Sequence, residues 1–220
     1  MKNPIISKWK TVLLVLLIVF MTFAAGTGQG QTVDYDAMSR TELQNKIATL
    51  GLGLGSYIVG RELTPEQQAT AEKDSAYKSY PGTVKFKDKD IFVIADQETK
   101  VVIALYVRNK QATQDDFKAM IGELMMRFGE PTAEAHGKTI YWNYAADGLI
   151  TEELYRTVKD KGLLETLGVL ATVKFSSSQS VDELSATAKE EKDEAEKSIA
   201  SSDNYVMIQS DVLSKKYMGN

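Results

Sequence analysis

Few residues in this chain stand at spacings that catalysis uses. Its one histidine, His136, lies in Ala135-His136-Gly137, a turn-forming sequence, whereas an imidazole base needs a carboxylate to orient it and a nucleophile to act on. There is no G-x-S-x-G elbow. The 220 residues contain no cysteine, which removes thiol nucleophiles, thiolate metal sites and disulfides together. The commonest zinc chemistries need two or more His or Cys ligands, twice what this chain holds. The acid pairs Asp34/Asp36 and Asp88/Asp90 lack the glycine and the further oxygen ligands of a calcium loop, so they read as turn residues. Gly51, Gly53 and Gly55 miss the third glycine of a dinucleotide loop, and no P-loop lysine follows them. With Leu50, Leu52, Leu54, Tyr57, Ile58 and Val59 around them, they are expected to form a flexible apolar segment laid against the domain. No catalytic residue, metal ligand or cofactor is assigned.

Two fragments resemble the signature of serine penicillin-binding proteins and β-lactamases: Ser75-Ala76-Tyr77-Lys78 has the S-x-x-K form and Ser202-Asp203-Asn204 the S-D-N form. That signature needs a K-T-G element after S-D-N, and the chain from Val206 onward offers only Lys215-Lys216-Tyr217. Both fragments therefore read as coincidence. Paired carboxylates for an exported hydrolase are the alternative that stays open, because such pairs come from distant strands and 30 acidic residues single out no two of them.

Side chains without local chemistry must be positioned by larger elements. Met38, Leu43, Ile47 and Leu50 space a helix over 35–50, stopped by Gly51, and Thr64-Pro65-Glu66 opens a second that runs toward Tyr77. Val84 and Phe86 alternate with polar residues, 91–95 and 101–107 are short apolar runs, and 96–100 is the turn joining those two as a hairpin. Runs apolar on both faces predict strands in the sheet interior, covered on at least part of each side. Thr113 to Asp116 has capping-box form, and Phe117, Met120, Ile121, Leu124 and Phe128 make the apolar stripe of a helix over 114–128, ended by Gly129 and Pro131. Ile140, Trp142 and Tyr144 alternate as a half-buried strand, 149–161 is helical, and 167–175 alternates again. Residues 180–200 make a charged helical excursion, 205–212 a final strand and 215–220 a tail. The expected fold is a single α+β domain over 32–220. Its largely antiparallel sheet carries the helix 114–128 on one face, with further helices at the N-terminus and between the late strands.

If Val107, Trp142, Val173 and Ile208 face the long helix, their neighbours must face away from it. Tyr106, Arg108, Tyr141, Asn143 and Lys174 then share a second face, together with Thr172, Tyr205 and Gln209. Tyrosine and arginine beside amides match the composition of interface centres, so this face is the candidate binding surface. The competing arrangement has the two N-terminal helices cover it.

Export is read from the first residues. Lys2, Lys8 and Lys10 precede an apolar run over 12–20 that fades into small residues, shorter than the ~20 residues of a bilayer span. Residues 1–31 are therefore expected to be a signal peptide, with an uncleaved anchor as the alternative. No cysteine follows for lipid attachment. The formal charge is -4 and the leader holds three lysines and no acid, so the remainder is more acidic than the whole, which argues against nucleic acid as a partner. The function expected is a non-enzymatic binding or interaction module of the bacterial envelope, periplasmic or secreted. Its partner is a protein or a small-molecule ligand, and it meets a membrane only through an uncleaved leader.

Overall fold

The computed structural model describes residues 34–75, 77, 79–178 and 202–218. The leader and the charged excursion expected over 180–200 lie outside the described residues. The fold is α+β, and the helices begin where side-chain acceptors meet their free N–H groups. Helix α1 (Arg40–Thr49) is capped by Ser39, whose hydroxyl accepts from the Glu42 N–H, so it starts later than the apolar spacing predicts. Tyr35 stays outside it and donates to the Gly168 carbonyl at 2.7 Å.

The glycine-rich stretch is not a loose segment. It forms a two-stranded antiparallel hairpin, β1 (Gly53–Leu54) and β2 (Tyr57–Ile58), with Gly55 at a φ of 57°. A Cβ at Gly53 would stand 2.1 Å from the Tyr57 carbonyl oxygen, so only glycine lets the two backbones meet. Arg127, from the long helix, donates to the Gly53 carbonyl at 2.6 Å and ties the hairpin down. Helix α2 (Pro65–Lys73) follows, with a complete capping box between Thr64 and Gln67.

The main sheet has eight strands: β3 (Thr83–Asp88), β4 (Ile91–Asp96), β5 (Val102–Ala112), β6 (Ala133–Ala135), β7 (Thr139–Ala145), β8 (Gly148–Leu149), β9 (Ala171–Ser177) and β10 (Ser202–Gln209). Every pairing is antiparallel, in the order β3-β4-β5-β10-β9-β7-β6, with β8 attached to β7. The last strand is therefore central, joining a first meander to a second. Helix α3 (Gln114–Phe128) carries the chain from β5 in the middle to β6 at the edge, and both halves of its Thr113–Asp116 capping box are present.

One row of inward residues crosses six strands in register: Phe86, Val93, Leu105, Ile208, Val173 and Trp142. All six are fully buried. Phe117 of α3 meets Phe175 edge-on at 5.5 Å, and Phe128 lies 6.2 Å from the Trp142 ring. The Trp142 indole N–H donates to the Gly129 carbonyl and the Tyr144 hydroxyl to the Phe128 carbonyl, so strand β7 satisfies the free acceptors at the end of α3. Leu43 and Ile47 of α1 join the same core, and Tyr57 of β2 packs edge-on against Phe86.

Three late elements differ from the sequence pattern. Leu167 falls in a 3-10 turn (Leu164–Leu167) ahead of β9, because Gly168 takes a left-handed φ of 56° and breaks the alternation. Strand β10 ends at Gln209, and the supposed tail is helix α5 (Asp211–Met218). It is held by buried Leu213, by Ser210 at its start, and by Tyr217, which donates to Gln44 of α1. Helix α4 (Glu152–Asp160), capped by Thr151, buries no residue and leaves Leu154 exposed. Among the described residues no helix is long and apolar enough to cross a membrane.

Candidate functional site

The row of residues one position from the core row crosses the same six strands on the opposite face: Lys87, Phe92, Tyr106, Met207, Lys174 and Tyr141. Each is only half-buried. Neighbouring rows place Arg108, Tyr205 and Ser176 on one side, and Lys85, Ile94, Ala104, Gln209, Thr172 and Asn143 on the other. The strand register thus brings all five sequence-derived candidates, Tyr106, Arg108, Tyr141, Asn143 and Lys174, onto one face. They do not form one cluster, because Tyr106 and Tyr141 are separated by β10 and β9. Helix α1 commits Leu43 and Ile47 to the core on the other side, while the segment after α2 sets Tyr77 against Phe92 and so covers part of the β3–β4 end of this face.

Phe92 and Tyr106 stack at 4.5 Å with planes 6° apart, and Tyr77 meets Phe92 edge-on at 5.4 Å. The Lys85 ammonium stands 5.5 Å from the Phe92 centroid and 5.2 Å from that of Tyr106, with Lys87 5.6 Å from Phe92. Arg108 lies 5.1 Å over Tyr205 and Lys174 5.8 Å over Tyr141. Cation–π contacts at such exposed sites contribute roughly 0.5–1 kcal/mol each. They hold the ammonium groups close to the sheet without neutralising them.

Arg108 forms an ion pair with Asp203, the middle residue of the S-D-N fragment. The Arg108 hydrogen bond, the Gln111 N–H and the nearby charges of Arg108 and Lys110 hold the Asp203 carboxyl below its ordinary range. The same bond pushes the Arg108 guanidinium up. Ser202 donates to Asn204 in the core, and Lys78 of the S-x-x-K fragment lies outside the described residues. Asn143 accepts from the Thr172 hydroxyl at 2.9 Å, which fixes its amide in the plane of the face. The hydroxyls of Tyr106 and Tyr141 have no hydrogen-bond partner among the described residues, and Lys85, Lys110 and Lys174 have no ion-pair partner there.

Tyr77 and Lys85 also line a cleft of about 300 Å³ between α2 and β3, floored by Leu63, Ala71 and Val84 with Lys100 at its rim. The aromatic row and this cleft are thus joined through shared side chains. Phe92, Lys85, Lys87 and Met207 were not among the candidates read from sequence. Lys85 and Lys87 alternate with Val84 and Phe86, a signal that could have placed them. Phe92 sits inside an apolar run, and a run has no phase.

His136 is exposed at a φ of 55°, with Gly137 at 58°, the two left-handed positions of a tight hairpin turn between β6 and β7. Asp88 accepts from the buried Tyr57 hydroxyl at 2.8 Å, and Asp34 accepts the N–H groups of Asp36 and Ala37, so these acids serve as turn and packing partners. Among the described residues no group of three or more His, Cys, Asp or Glu could hold a metal ion. The carboxyls with displaced pKa values, Glu66, Asp116 and Asp203, are all held down by cap or ion-pair hydrogen bonds. A general acid at neutral pH needs the opposite displacement.

Comparison of the chain with protein-family models, with curated proteins and with solved structures finds no match.

Proposed function

We propose that this protein is an exported binding module of the bacterial envelope that holds a partner on the second face of its sheet. One observation carries the reading: a row of rings and cations runs across six strands on the face away from α3, and each member keeps part of its surface exposed. Such rings, beside donors that have no partner among the described residues, have the composition of interface centres. Export rests on the basic start and short apolar run of residues 1–31.

Two measurements test the two halves of this reading. N-terminal sequencing of protein from its host should find a start between Ala25 and Thr32, and recovery of intact Met1 in washed membranes would replace release by anchoring. A photoreactive residue at 106 or 141 should crosslink a partner in envelope extract, while one at Met126, exposed on α3, should not. Equal labelling from all three positions, or none from 106 and 141, would remove the face from consideration.

A further inference from the structure

We infer that the partner is an acidic, extended protein segment laid across the strands, its carboxylates meeting the cations of the second face; this rests on the binding reading above. The chain as a whole is acidic, yet this face is not. Its outward strand positions hold Lys85, Lys87, Arg108, Lys110 and Lys174, drawn from three strands far apart in sequence. The acid among them, Asp203, is already paired with Arg108, and Asp90 in the β3–β4 turn reaches only Lys87, at 3.7 Å. Asp96, at the end of β4, is buried and accepts the N–H groups of Glu98 and Thr99 in its own turn. Among the described residues the face therefore offers an excess of donors: ammonium groups without carboxylates, and the hydroxyls of Tyr106 and Tyr141. Charge complementarity selects a partner rich in acceptors and negative charge.

Ring orientation separates the kinds of polyanion. Sugars and bases bind aromatic side chains by lying on an open ring face. Here Phe92 is engaged by Tyr106 and by the Lys85 and Lys87 ammoniums, and Arg108 and Lys174 each occupy one side of Tyr205 and Tyr141. A membrane surface asks for a continuous apolar face to enter it, whereas Phe92 and Tyr106 stack on each other between Lys85 and Lys87 and polar rows. Carboxylates need no platform. They need cations and hydroxyls at reachable intervals, and Lys85 and Lys174 are four strand steps apart, ~19 Å at ~4.8 Å per step. An extended peptide rising ~3.3 Å per residue spans that interval in about six residues, with every second side chain facing the sheet.

The test is fluorescence anisotropy of a labelled oligoglutamate of roughly ten residues, long enough to span the row, with the purified protein. The variant Lys85→Ala/Lys174→Ala is compared with Lys159→Ala/Lys161→Ala, which removes the same charge from in and around α4. Binding should weaken with added salt, fall on the order of tenfold in the face variant and hold in the control. Loss to the same degree in both variants would reduce the effect to net charge and overturn the proposal. Parallel titrations use a carboxylated polysaccharide, a single-stranded oligonucleotide and phosphatidylglycerol vesicles. Preference for any of these overturns the acidic-peptide assignment and leaves the face as a binding surface. If no anion binds while crosslinks still form from positions 106 and 141, the inference fails alone. If neither binding nor crosslinks are seen, the reading beneath it fails too.

Discussion

The two faces of this sheet differ by a single step along each strand. Phe86, Val93, Leu105, Ile208, Val173 and Trp142 make one row, and their immediate neighbours Lys87, Phe92, Tyr106, Met207, Lys174 and Tyr141 make the other. The first row is completely buried, while every member of the second keeps part of its surface in water. Both contain aromatic residues, so composition does not separate them. What separates them is the extent of cover: α3 and α1 put their apolar side chains on the first row, while on the second only Tyr77 is seen to pack, against Phe92. An apolar ring on the open side stabilises the fold little and can meet a partner instead.

Adjacent residues on opposite faces give the largest contrast. Trp142→Ala removes a buried ring and its bond to the Gly129 carbonyl, and should destabilise by about 3–5 kcal/mol in a denaturant titration. Tyr141→Ala, one residue away, should cost under ~1 kcal/mol, as half-exposed positions do. Similar losses at the two positions would mean that the second face is covered after all.

A smaller effect sharpens what the cover consists of. Gly53→Ala places a methyl group against the Tyr57 carbonyl and should destabilise by roughly 1–3 kcal/mol, with Gly51→Ala as the comparison for left-handed strain alone. A neutral Gly53→Ala would show that the β1–β2 hairpin is dispensable to the core.

The smallest effect belongs to the open face. The Asp203 carboxyl is held below its ordinary value of 3.8 in the fold, so the Arg108 pair adds stability above that pH and loses it as pH falls through the lowered folded value. Asp203→Asn should flatten this acid limb of the stability curve slightly and leave stability at neutral pH almost unchanged, because the pair is solvent-exposed. A steep acid limb that persists in the variant would assign it to other carboxyls.

Much of the scaffold was legible because its signals are local. Thr113 with Asp116 and Thr64 with Pro65 mark helix starts through bonds made within four residues. Alternation at Ile140, Trp142 and Tyr144 gave β7 its inward side. The candidate face was legible in part for the same reason: once Trp142 was inward, Tyr141 and Asn143 had to be outward. Phe92 and Met207 were missed because each sits in an apolar run, 91–95 and 206–208, with no alternation to read, and only pairing with Tyr106 shows which way they point. Cover on at least part of each face was expected of the first of these runs, and on the second face it amounts to Tyr77 against Phe92. The glycine hairpin and α5 were missed because a two-residue strand and an eight-residue helix draw their order from contacts with Arg127, Gln44 and the core, not from their own spacing.

By itself, then, the amino-acid sequence determined the absence of thiol chemistry, the helix caps, the turns, and the side of each alternating strand, since these depend on residue type and on neighbours within a few positions. It could not determine the strand order. Placing β10 between β5 and β9 brings Arg108 to Asp203, 95 residues away, and sets Tyr106, Met207 and Lys174 in one row. The cations are scattered along an acidic chain, and they become a basic face only when antiparallel pairing lines up their strands. That pairing is chosen by which strands bury their inward residues together, a property of the assembled core that no single segment contains.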